Sequence, residues 1–74
     1  MRVIELYDRL DNKTNIEFID ASGGHYEQLW RGHVNEARKL HVNQDCEVIE
    51  IRLKTSFTYE TSGIVGIPTM EIWV

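Results

Sequence analysis

His25, His33, His41 and Cys46 are the side chains of this 74-residue chain best suited to holding a zinc ion. Four imidazole and thiolate donors make a tetrahedral site that could staple a small domain. Such sites draw their ligands in close pairs, of the C-x2–4-C or H-x3–5-H kind, so that one turn presents both. None of the four is paired in that way, and His41 with Cys46 comes nearest. The spacing therefore predicts surface histidines, a buried thiol, and no metal or other cofactor. As a nucleophile, Cys46 is poorly placed between Asp45 and Glu47, because adjacent negative charge raises a thiol's pKa and blunts its reactivity. Ser22, Ser56 and Ser62 fall in predicted loops with no elbow motif around them.

Glu17, Asp20 and Glu27 could supply the paired carboxylates of an acid–base site near one hairpin. That chemistry needs a concave, partly dry pocket to shift a pKa, and a domain this small has little volume for one. A solvated face accounts for the three acids, and the chain is read as not an enzyme. Gly63-Ile64-Val65-Gly66 has the outline of the GxxG loop that clamps a nucleic-acid backbone. It lacks neighbouring cations, so a turn is the better reading. Arg31, His33, Arg38, Lys39 and His41 form a modest basic cluster that could meet phosphates or an acidic partner, or could simply be a solvated face.

Charge along the chain bears on that choice. The net charge is −4. Residues 1–29 set Glu5, Asp8, Asp11, Glu17, Asp20 and Glu27 against Arg2, Arg9 and Lys13, and residues 55–74 hold Glu60 and Glu71 with no Lys or Arg. Phosphate neutralisation dominates nucleic-acid affinity, so a mildly basic middle between acidic ends argues against a dedicated nucleic-acid binder. The stronger candidate for function is the apolar content of residues 55–68. Phe57, Tyr59, Ile64, Val65 and Ile67 stand there without clean periodicity. They either fold back as a hairpin cap over the core or remain exposed as an interaction surface.

The elements that must position these residues are short. Val3, Leu6, Tyr7 and Leu10 recur at helical spacing, which predicts a helix over Arg2 to Leu10. Turn-favouring residues follow from Asp11 to Asn15, then a strand from Ile16 to Asp20. Gly23 and Gly24 predict a tight hairpin with positive φ, returning through a strand from Glu27 to Val34 in which Gly32 marks a bulge or a close neighbour. Asn35 reads as the N-cap of a short helix from Glu36 to about His41, with Ala37 and Leu40 inward. In Glu47 to Lys54, apolar and charged residues alternate, which predicts a strand burying Ile49, Ile51 and Leu53. Residues 55–68 read as an irregular loop, and Thr69 to Val74 as a last strand with Met70, Ile72 and Val74 on one face. The expected fold is one α+β domain over residues 1–74: a small antiparallel sheet of about four strands, covered on one face by the N-terminal helix, with a second short helix.

A domain of this length hides only about 60% of the surface its unfolded chain exposes. The lone Cys46 permits no internal disulfide, so association into a homodimer is a further route to stability that also conceals sheet edges. No apolar run approaches a membrane span, and Glu5 interrupts any signal-peptide pattern. A cytoplasmic protein is the plain reading, with no membrane partner.

Val3-Ile4-Glu5-Leu6-Tyr7, the polar turn Asp11 to Asn15, the strand Ile16 to Asp20, the strand end Leu29 to Val34 and the run Glu47-Val48-Ile49-Glu50-Ile51 follow one another in a recognisable order. That order resembles short proteins encoded by phages, prophages and conjugative elements of Gram-positive bacteria. The likeness covers most of residues 1–53, and residues 55–68 depart from it. The resemblance implies a setting: small acidic products of such elements act by binding host or phage proteins, including components of host defence. It carries over no functional residue. The resulting expectation is a non-enzymatic protein acting by protein–protein contact or self-association, with Phe57, Tyr59, Ile64, Val65 and Trp73 as candidate contact residues. The alternative is an accessory nucleic-acid binder using Arg31, Arg38 and Lys39.

Overall fold

The computed structural model describes residues 1–74. The elements are α1 (Val3–Tyr7), β1 (Asn15–Ile19), β2 (Gln28–His33), α2 (Val34–Leu40), β3 (Glu50–Glu60) and β4 (Gly63–Trp73). The strands form one sheet in the order β2-β1-β4-β3. The α+β class matches expectation, but the sheet is mixed rather than antiparallel. β1 pairs antiparallel with β2 and β3 with β4, whereas β1 and β4 run parallel, Ile16 opposite Met70 and Phe18 opposite Ile72. The chain crosses from β2 to the far edge through α2, and the last strand then inserts between β1 and β3.

Both helices are short and are held by tertiary contacts rather than by side-chain caps. α1 is shorter than its periodicity predicts, because Arg2 is extended and bridges Glu47 while turn-forming residues begin at Asp8. Val3, Leu6 and Tyr7 still face inward. α2 starts one residue before Asn35, with His33 at the N-cap position. Its first free N–H groups donate instead to loop carbonyls, Val34 to Thr14 and Asn35 to Asn12, at 3.0 Å each. His41 ends it in the left-handed region at φ 57°. Ala37 is buried as expected, while Leu40 points to solvent.

The core is Val3, Leu6 and Tyr7 of α1, Val34 and Ala37 of α2, Ile16 and Phe18 of β1, and Ile72 of β4. Tyr7 packs edge-on against Phe18 at 6.4 Å and donates its hydroxyl to the Val42 carbonyl at 2.5 Å. Burial, with the neighbouring Cys46 adding to it, pushes that phenol up to about 12. The Arg38 guanidinium ties the helices together, donating to the Tyr7 carbonyl and, at 2.9 Å, to Asn12 Oδ1. Trp30 lies over Gly32, where an added Cβ would meet its ring at 2.5 Å, so the glycine does mark a close neighbour.

β3 contributes nothing to this core, which overturns the expectation that Ile49, Ile51 and Leu53 are buried. They are 67%, 41% and 80% exposed. Ile49 precedes the strand, while Ile51 and Leu53 do point to the helix-bearing face, opposite Ile72 and Met70. They lie on the edge strand, and the buried helix residues pack over β1 and β4 instead. The helices covering the sheet therefore leave Ile49, Ile51 and Leu53 uncovered. Residues 55–68 are not an irregular loop either. They continue β3 and β4 as an antiparallel ribbon, turned at Thr61-Ser62 and Gly63. Gly63 takes φ 122°, a conformation that other residues rarely adopt.

The segment between β1 and β2 is likewise not a tight glycine hairpin, since Gly23 and Gly24 do not take positive φ. Asp20 starts it, accepting bonds from the Ser22 N–H and hydroxyl at 2.8 and 2.6 Å, and these hold its carboxyl below the usual range. The segment carries Tyr26 over the sheet face opposite the helices, edge-on to Trp73 at 5.9 Å.

Candidate protein-interaction surface

β1 ends its pairing with β4 at Asn15 opposite Thr69, so beyond that point β3 and β4 have only each other. Pro68 follows directly. It is paired with Thr55 and, lacking an N–H, offers no donor for a further strand on the β1 side. From there the ribbon projects as a two-stranded arm. Alternation puts Leu53, Thr55, Phe57 and Tyr59 of β3 on one face with Ile64, Gly66, Pro68 and Met70 of β4. This is the face that carries the helices further along the sheet, and here nothing covers it. Phe57 is 70% exposed, Tyr59 84% and Ile64 63%. Phe57 leans on Gly66, its directly opposed partner.

Of the five predicted contact residues, Phe57, Tyr59 and Ile64 thus come together on one face. Val65 is on the opposite face and half-buried. Trp73 is at the other end of β4, packed under Tyr26 with the Arg52 guanidinium 4.5 Å from its ring centre. Leu53 belongs to the surface and was missed by sequence reasoning, which assigned it to the core. The alternation of Phe57 and Tyr59 with Ser56 and Thr58 was the available signal for a strand here.

The root of the arm is held by a polar group on the other face. Lys54 Nζ stands 2.7 Å from Glu17 Oε2 and 3.0 Å from Glu71 Oε2. The Tyr26 hydroxyl shares its one proton between Glu17 Oε1 at 2.9 Å and Glu71 Oε2 at 2.8 Å, and accepts from Lys54 at 3.0 Å. Glu17 is therefore no solvated acid: it is 3% exposed. Burial disfavours the Lys54 charge, but its bonds to Glu17, Tyr26 and Glu71 outweigh this and raise its pKa. For Glu71, burial works upward and the bonds from Tyr26 and Lys54 win, lowering its pKa. Tyr26 is raised, burial first and the two carboxylates with it, against the Lys54 bond. Each carboxylate is bonded to both Lys54 and Tyr26, which suits a clamp.

The predicted basic cluster is divided. Arg31 pairs across from Glu17 and so lies on the face away from the helices, whereas Arg38 and Lys39 are on α2. Arg38 is engaged with Tyr7 and Asn12, leaving Lys39 on the surface of the last turn. His25, His33, His41 and Cys46 do not converge, and no three His, Cys, Asp or Glu side chains group at metal-binding distance. Cys46 is half-buried, its thiol 3.9 Å from Asn43 Oδ1. The surface depressions are shallow, and the largest, about 360 Å3, is lined by Asp11, Lys13, Thr14, Asn15 and Pro68. No helix is long and apolar enough to cross a membrane. No protein-family model, curated protein or solved structure matches the chain.

Proposed function

We propose that this chain is a non-enzymatic protein-binding module of the kind produced by phages and mobile elements, and that it engages its protein partner through the apolar face of the β3–β4 arm. The observation that carries this reading is the exposure of Leu53, Phe57, Tyr59 and Ile64 on one side of a ribbon that no helix covers. A contiguous apolar patch marks an interaction site, and aromatic side chains dominate interface energetics. Burying each of these side chains in a partner contributes about 1.5 to 3 kcal/mol, more than any of them returns to this fold. In the mobile-element setting the partner is a host or defence protein, or a second copy of the chain, met in the cytoplasm. The mutual engagement of Lys54, Glu17, Glu71 and Tyr26 and the shallowness of the surface depressions support binding rather than catalysis.

The test is the double variant Phe57→Ser/Tyr59→Ser. It should fold with the secondary structure of the parent chain yet no longer retain the partner captured from Gram-positive host extract. Undiminished capture by this variant would remove the arm face from the account.

A further inference from the structure

β3 is an open edge along its whole length. It has 11 residues, contains no proline, and turns its lysine inward, Lys54 being engaged with Glu17 and Glu71. Edges are ordinarily shielded by brevity, prolines, bulges or charges; this one is long and proline-free, and beyond Lys54 its distal half carries a single charge, Glu60. Its hydrogen-bonding phase follows from the turn. Glu60 and Gly63 close a two-residue connection, so they form the pair that exchanges both backbone bonds, and such pairs alternate along the ladder. Arg52, Lys54, Ser56, Thr58 and Glu60 accordingly bond to β4. Ile51, Leu53, Thr55, Phe57 and Tyr59 turn their N–H and C=O groups to the free edge.

We propose that the occupant of this edge is a second copy of the chain, joined by antiparallel pairing of β3 with β3 about a two-fold axis at Ser56. The inference rests on the reading of the arm as an interaction surface and names its partner. Charge selects the register. A two-fold axis at Lys54 would set two lysines against each other, one at Thr55 would oppose Glu50 to Glu60 twice, and one at Phe57 would oppose Glu60 to a Lys54 already committed to Glu17 and Glu71. With the axis at Ser56, Arg52 of each copy stands opposite Glu60 of the other, and Lys54 stands opposite Thr58. On the apolar face, the same register pairs Leu53 with Tyr59 and Thr55 with Phe57 across the junction. Directly opposed apolar and opposite-charge pairs are the stabilising units of a sheet. The product is a continuous eight-stranded sheet with all four helices on one side. Only 12 of 74 residues are buried in the single chain, so the dimer also supplies stability that a core this small lacks.

The test is sedimentation equilibrium of the parent chain, of Arg52→Glu, of Glu60→Arg, and of the two variants mixed. The parent should weigh as a dimer. Each variant alone opposes like charges at both ends and should dissociate about tenfold more readily. Mixed, Arg52→Glu and Glu60→Arg again face opposite charges at both ends, and the dimer should return to parental strength. A parent that stays monomeric up to its solubility limit overturns the dimer. So does a dimer indifferent to both charge reversals, or a mixture that fails to recover. A monomeric parent that still loses host-protein capture through Phe57→Ser/Tyr59→Ser would refute the dimer alone and leave the arm's binding role standing.

Discussion

Lys54 reaches across β4 to place its Nζ 2.7 Å from Glu17 Oε2, although Lys54 stands on β3 and Glu17 on β1. With Glu71 and Tyr26 completing the group, one side chain fastens three strands where the arm begins. The distal ribbon has no such tie. The fold thus divides at Thr69 into a fixed sheet and a projecting pair of strands whose apolar face is free.

Removing the lysine leaves Glu17 and Glu71 facing each other with little solvent. Lys54→Met should destabilise the fold by about 2 to 3 kcal/mol, below the usual cost of breaking a buried pair because the lysine itself is one-third exposed. Urea unfolding measures this. Adding Glu17→Gln to Lys54→Met should recover part of the loss, since only one carboxylate then remains charged.

Stability should fall on both sides of neutrality. The lowered pKa of Glu71 means that its contribution is complete above the ordinary glutamate value of about 4.3 and is lost as the pH falls through the folded value. Lys54, Tyr26 and Tyr7 are all raised, so their contributions are complete below their ordinary values of about 10 and are lost as the pH rises beyond them. A urea midpoint that is flat from about pH 5 to 9 and drops at both ends is the expected profile. Lys54→Met should flatten the alkaline limb.

Two residues on the same face of the sheet should respond to truncation to very different extents. Ile72→Ala removes a fully buried side chain from beneath the helices and should cost about 2 to 5 kcal/mol. Leu53→Ala, on the adjacent strand but outside the helical roof, should change the stability of the dissociated single chain by less than about 0.5 kcal/mol. Equilibrium unfolding of the two variants decides it.

That pair of residues also shows how far the sequence can be read. Alternation correctly assigned Met70 and Ile72, and in β3 Ile51 and Leu53, to the helix-bearing face. It could not distinguish a central strand from an edge strand, because strand order is set by how the chain crosses over, and the local pattern is the same in both. The first helix was visible in the spacing of Val3, Leu6 and Tyr7, though not its early end at Asp8. The Lys54 group was invisible for the same topological reason, since residues 17, 26, 54 and 71 meet only once β4 inserts beside β1. The arm was misread as a loop because its apolar residues alternate with Ser and Thr, which also populate turns.

Gly32 should tolerate no side chain. The Cβ of Gly32→Ala would sit 2.5 Å from the Trp30 ring, which would have to lift away from its place beside Phe18. We expect a loss of about 1 to 3 kcal/mol, with the tryptophan emission shifting to the red as the ring meets water.

The central claim is that the arm serves contact with another protein rather than the fold. Ser56 and Ile67 are directly paired, so residues 57–66 can be exchanged for an Asn-Gly turn without disturbing the rest of the ladder. Binding of host-extract protein and of labelled parent chain to the immobilised trimmed and intact forms, at equal folded concentration, tests that claim most directly. We predict that the trimmed form folds and retains neither; retention equal to that of the intact chain would contradict the account.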